Sequence, residues 1–207
     1  MKRVFKCVVM LAIATMFTNY QADAQIGIGG GATYNVLTET YDGNRSTYAL
    51  NGFFAEVYYN STFSDKLSAA PSLKFVRTNG IFPGTDNSGR WTEQYLDLTA
   101  VKLKSKIYEL NTIEFYLSPS IIMSYCLTSK LNINGTSMDV FELFDEIIGG
   151  ENLYQRDDVR IGLSLSAAIN RRINIEIGYE MGLVDRFDYS NDDIVRTSLN
   201  AGVFFNW

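Results

Sequence analysis

The chain has 207 residues, 18 basic and 23 acidic side chains, and a formal net charge of −5. An acidic chain without a basic patch is a poor nucleic-acid partner. No histidine occurs in the sequence, which removes the usual general base, the commonest metal ligand and any Ser-His-Asp or Cys-His arrangement. Neither an enzymatic activity nor a cofactor nor a metal site is expected.

The first residues read as an export signal. Lys2, Arg3 and Lys6 precede an apolar stretch at 8–17, and Ala22-Asp23-Ala24 fits a small-x-small cleavage pattern. The expected division is a signal at 1–24 and one domain at 25–207. Losing Lys2, Arg3, Lys6 and Asp23 takes the net charge to −7. Cys126 is then the one remaining cysteine, so an internal disulfide is not expected.

Eight segments then alternate apolar and polar residues: 26–36, 48–59, 67–76, 91–103, 113–127, 159–170, 173–184 and 196–207. A strand turns successive side chains to opposite faces, so a period of two predicts one apolar and one polar surface. Most segments are long enough to cross a bilayer at a tilt. The shorter connections are 60–66, 104–112 and 170–172; the longer ones, rich in Asn, Asp, Gly and Ser, are 37–47, 77–90, 128–158 and 185–195. The reading is an all-β, eight-stranded, antiparallel up-and-down transmembrane barrel with short turns in the periplasm and long loops outside. Lys66, Lys104, Lys106, Arg171 and Arg172 gather at the short turns. Tyr59, Phe115 and Trp207 are expected at the inner rim and Tyr34, Trp91 and Tyr125 at the outer, where amphipathic rings favour the membrane interface.

Residue size indicates which face points inward. The polar face carries Gly27, Gly29, Gly31, Ser118, Ser120, Gly162, Ser164, Ser166, Ala168, Gly178 and Gly182. Crowding into a narrow lumen selects small residues, whereas a solvated surface would select Lys and Glu. The same face holds Glu56, Lys74, Glu93, Asp97, Glu114, Arg160, Glu176 and Glu180, expected to form an ionic network inside the barrel because an unpaired buried charge is costly. A turn at 170–172 places Ile169 opposite Ile173, Arg160 opposite Gly182, and Glu180 one diagonal step from Arg160. Eight strands leave room for side chains and little else, so a structural plug is favoured over a selectivity lining or proton path.

Two loop features stand out. Residues 188–193 are acidic but lack the glycine and final glutamate of a calcium loop. In the third long loop, Asp139, Glu142, Asp145 and Glu146 accompany Phe141, Leu143, Phe144, Ile147 and Ile148, which are expected either to fold over the barrel mouth or to offer an interaction surface.

Several motifs are similar to one family. Ser64-Asp65-Lys66-Leu67-Ser68 with Pro71-Ser72-Leu73-Lys74-Phe75 resembles the second hairpin of the PorT-like outer-membrane β-barrel family, abundant in Bacteroidetes-type bacteria. Tyr95-Leu96-Asp97-Leu98 through Lys102, Leu117-Ser118-Pro119, and Ile175-Glu176-Ile177-Gly178-Tyr179-Glu180-Met181-Gly182-Leu183 resemble its later strands. Thr99 departs from a frequent proline, and the third loop is long. The resemblance implies an outer-membrane barrel; PorT itself is linked to a protein-secretion system of the envelope.

The expected function is a structural or interaction role through the outer loops. The alternatives are an accessory component of a secretion apparatus, a narrow transport pore and a lipocalin-like ligand binder. Expected partners are outer-membrane lipid and other envelope proteins, with a monomeric barrel and no nucleic acid.

Overall fold

The computed structural model describes residues 24–41, 44–81, 89–148, 155–186 and 193–207. Residues 1–23, where the export signal is expected, and the acidic run at 188–192 lie outside these residues. The strands are β1 (Ala24–Tyr41), β2 (Asn44–Ser64), β3 (Leu67–Ala69), β4 (Ser72–Ile81), β5 (Gly89–Leu110), β6 (Ile113–Ile133), β7 (Thr136–Asp139), β8 (Asp157–Ile169), β9 (Ile173–Gly182) and β10 (Asp193–Asn206). One helix, α1 (Val140–Ile148), follows β7.

Antiparallel pairing runs from β1 through β2, β4, β5, β6, β8, β9 and β10, and β10 pairs back onto β1. The sheet therefore closes. β3 and β4 form one stave, interrupted at Ala70-Pro71 because proline has no N–H to give the ladder. The interruption is bridged on both sides: Tyr59 N–H donates to the Pro71 carbonyl at 3.0 Å, and Ala70 N–H to that of Lys102 at 2.8 Å. Counting β3 and β4 together, the barrel has eight staves, as the sequence pattern predicts.

Three connections are tight. Asn111 and Asn134 take positive φ, and at 170–171 both Asn170 (φ 49°) and Arg171 (φ 57°) do. A two-residue hairpin needs that handedness to match the strand twist. The turns at 111–112 and 170–171 lie at the end that holds both Gln25 and Trp207; the turn at Asn134, which joins β6 to β7, lies at the other end with the longer connections.

The alternation is resolved as expected. Ile161, Leu163 and Leu165 on β8, and Ile175, Ile177, Tyr179 and Met181 on β9, are exposed, while Arg160, Ser164, Ser166, Asn174 and Glu180 are buried. An apolar belt thus surrounds a polar interior, the inverse of what a lipocalin-like binder needs. No described helix is long and apolar enough to cross a membrane.

Four expectations require correction. The segment 67–76 is broken at Pro71. The strands outrun their expected ends, so parts of 37–47, 77–90 and 128–158 are strand, and β6 continues into a hairpin with β7. β5 reaches Leu110, which reduces the turn expected at 104–112 to Asn111-Thr112. Finally, Trp91 is not an outer-rim residue. It shares its face with Glu93 and Asp97, is 4 % exposed, and donates its Nε1–H to Ser129 Oγ at 2.8 Å.

Candidate functional site: the ion-filled lumen

Every charged residue placed inside by the sequence faces the interior, and the structure adds others. Glu56, Glu93, Asp97, Glu114, Asp158, Glu176 and Glu180 lie within, accompanied by Lys74, Lys102, Lys104, Lys106, Arg160, Arg186 and Arg196. Among the described residues the two signs are matched in number, which the eight residues named from sequence are not.

The arrangement is a ladder along the barrel axis. Nearest the loop end, Arg186 donates to the Tyr95 hydroxyl at 2.9 Å and lies 3.7 Å from Glu93, while the Tyr95 hydroxyl donates to Glu93. Below it, Arg196 stacks on the Tyr95 ring at 3.8 Å and reaches Asp97 at 3.7 Å and Asp158 at 3.6 Å. Asp97 also binds Arg160 at 2.5 Å and Lys74 at 3.6 Å, and accepts from Ser124 Oγ at 2.5 Å. Arg160 and Lys74 then share Glu180, with Lys74 at 2.6 Å. Lower still, Lys102 pairs with Glu176 at 2.6 Å. At the turn end, Glu114 is held by Lys106 at 3.3 Å and Arg171 at 3.4 Å and accepts from the Tyr116 hydroxyl at 2.7 Å.

Of the residues predicted from sequence, Lys74, Asp97, Arg160 and Glu180 are brought into one cluster. Glu93, Glu176 and Glu114 belong to the separate pairs above. Glu56 is buried facing Lys74 across the β2–β4 ladder, without an ion pair at contact distance among the described residues.

Lys102, Lys104 and Lys106 are inside because of a bulge. The register between β5 and β6 shifts between Thr99 and Val101, so the inward face changes from 93, 95, 97 and 99 to 102, 104 and 106. One extra residue does this by leaving two residues opposite one. The sequence carries a trace of it: after Asp97, the alternation Val101-Lys102-Leu103-Lys104 is out of phase with Glu93 and Asp97. Strict alternation would have put lysines on lipid and leucine in the lumen.

Aromatic rings fill the remaining interior. Phe54 and Tyr58 pack on Phe204 with ring centroids 6.2 and 5.7 Å apart. The glycines of β1 make room for them: a Cβ on Gly27 would sit 2.2 Å from the Tyr58 ring. A cavity of about 30 Å³ remains beside Glu56, Lys74, Lys102 and Glu180, enough for one or two waters.

The loop end is partly covered. Asp139 caps α1 by accepting from Phe141 N–H at 2.9 Å. Val140 and Phe141 are buried against a cluster that includes Leu131, and Leu143 packs on it half-buried. The Arg156 guanidinium lies 3.8 Å over the Phe141 ring. Phe141 is therefore not available as an interaction surface, because the β6–β7 hairpin and Arg156 cover it. The side chains of Phe144, Ile147 and Ile148 lie outside the described residues. Among the described residues, no group of three or more His, Cys, Asp or Glu is placed to hold a metal ion.

No family model matches the chain, and no curated protein matches it. Solved structures do. The attachment invasion locus protein Ail of Yersinia pestis aligns over 89 % of this chain and 99 % of its own, at 16 % identity and TM-score 0.51. The same figures hold for Ail in complex with the heparin analogue sucrose octasulfate. The neisserial surface protein NspA aligns over 88 % of this chain and 97 % of its own, at 10 % identity and TM-score 0.48. This chain has the fold of a small outer-membrane barrel. At such low identity the likeness to Ail extends to the fold alone.

Proposed function

We propose that the protein is an integral barrel of the bacterial outer membrane, plugged by its own ion ladder, with a structural or interaction role at its loop end and no catalytic activity. The observation that carries this reading is the inverted distribution of chemistry. Exposed Ile, Leu, Phe and Tyr girdle the outside, while paired charges occupy the inside. Water would not select such a surface; hydrocarbon would. Outer-membrane lipid is then the first partner, and self-association is not needed to bury the belt.

Export through the signal at 1–24 puts the short turns in the periplasm and the long connections outside. The outward segments carry Asp86, Glu142, Asp145, Glu146, Asp188 and Asp192, so a sulfated polyanion of the kind seen with Ail is disfavoured here. The filled lumen argues against a transport pore. Lys66 and Arg171 at the turns leave a second reading open, an accessory barrel of a secretion apparatus, as the PorT-like motifs suggest.

Fractionation of cells producing the full chain, with heated and unheated detergent gels, tests the proposal. Recovery with the outer membrane and a heat-dependent change in mobility is expected. Recovery in the soluble periplasm would overturn it.

A further inference from the structure

Lys104 is the one inward cation of β5 that the ion ladder leaves over. Its neighbours Lys102 and Lys106 both meet carboxylates. Lys104 has neither a hydrogen bond nor a carboxylate within ion-pair distance among the described residues, although it is 6 % exposed. Its ammonium lies 4.8 Å over the Tyr116 ring. A ring face attracts a cation but offers no hydrogen-bond acceptor of the strength that a buried ammonium gives up on leaving water.

Lys104 lines a cavity of about 180 Å³ at the turn end of the lumen, where Lys66 and Arg171 supply two further cations and Asp65 and Glu114 two carboxylates. Glu114 is already bound by Lys106, Arg171 and the Tyr116 hydroxyl, so it offers Lys104 little. The excess charge of the lining is positive, and Ser68 stands beside it as a neutral donor.

We propose that this inner mouth is a binding site for a single oxyanion, a phosphate or a carboxylate group, with Lys104 as its buried anchor and Arg171 as its rim contact. The cavity has room for one such group and is too small for a folded domain. The site goes beyond the proposed function; only its opening to the periplasm depends on that orientation.

The test uses the folded barrel in a maltoside detergent, which carries no phosphate. Inorganic phosphate and acetate are each titrated at constant ionic strength, with chloride as the reference, and followed by amide NMR. Saturable shifts confined to the Lys66 and Arg171 turns and to β5 around Lys104 are expected for at least one of the two probes, tighter for the better-fitting group. K104M should weaken that binding at least tenfold, and K104R should retain most of it. Lysine acetylation read by mass spectrometry gives a second measurement on the unaltered protein. The saturating probe should protect Lys104 but leave exposed Lys130 unprotected. Non-saturable shifts with both probes, unchanged binding in folded K104M, or unprotected Lys104 would each overturn the proposal. If K104M does not fold, the protection experiment decides.

Discussion

Arg160 of β8 and Glu180 of β9 meet inside the barrel although neither is the other's direct cross-strand partner. Arg160 stands opposite Gly182, and Glu180 stands opposite Gly162. A glycine across each strand pair leaves both side chains space to lean along the diagonal. Lys74 arrives from the far wall and takes the second oxygen of Glu180 at 2.6 Å. One carboxylate thus ties two opposite sides of the barrel together.

Removing that carboxylate leaves Arg160 and Lys74, two buried cations, to share Asp97. E180A is expected to lower stability by roughly 3–5 kcal/mol, the usual cost of breaking a buried pair from one side. Combining it with R160A should cost less than the two single changes summed, with a coupling of about 1–3 kcal/mol. Urea unfolding in lipid vesicles reads both quantities. Additive losses would mean that the pair is not an interacting unit.

The outer face should tolerate charge only near its ends. Ile177 lies mid-strand and exposed, so I177R is expected to cost about 2–4 kcal/mol, the midplane value for a lipid-facing arginine. Asn51, which pairs with rim residue Tyr34, should accept arginine for roughly 0–1 kcal/mol. The same unfolding assay compares them, and equal costs would argue against a depth-dependent hydrocarbon environment.

Gly31 and Gly178 separate close backbone approach from mere smallness. A Cβ on Gly31 would fall 2.0 Å from the Ala201 carbonyl oxygen, a backbone atom that cannot step aside, whereas one on Gly178 comes no nearer than 3.3 Å, to the Ser164 Cβ. G31A should therefore lose about 1–3 kcal/mol as an overpacked site, and G178A clearly less. The heat-modifiable folded fraction on gels shows the order.

Cys126 offers a probe of closure. Its side chain is buried among Tyr95 and Trp91 beneath the loop end. A maleimide should fail to react with the folded barrel and should label one thiol per mature chain after heating in detergent. Fast labelling in the folded state would mean that the loop end is open.

Much of this was legible in the sequence because lipid enforces the pattern. Where hydrocarbon meets the wall, Ile175, Ile177 and Tyr179 must alternate with Asn174, Glu176 and Gly178. The alternation even fixed the Arg160–Gly182 register through the turn at 170–172. Beyond the belt both faces can be polar, so the strand portions at 37–41 and 128–133 resemble loops by composition. The bulge beyond Thr99 shows only as a change of phase that a strict period of two does not read, which is why Lys104 and Lys106 are expected at a turn and Lys102 is not assigned to the lumen. Asp158, Arg186 and Arg196 were missed because each lies at or beyond a strand end, where face and loop are hard to separate. The charge count alone hinted at them: six carboxylates with two cations cannot be a stable interior.

The central claim is that the odd-numbered residues of β8 and β9 face lipid. Nitroxide labels at Ile161, Leu163, Ile175 and Ile177, in a C126S background in lipid vesicles, test it most directly through collision with oxygen and with a water-soluble nickel chelate. High oxygen access with little nickel access at Leu163 and Ile177, reversing for a label at Arg172 in the turn, is the expected result. Uniform nickel access along both strands would contradict it and make the barrel a soluble one.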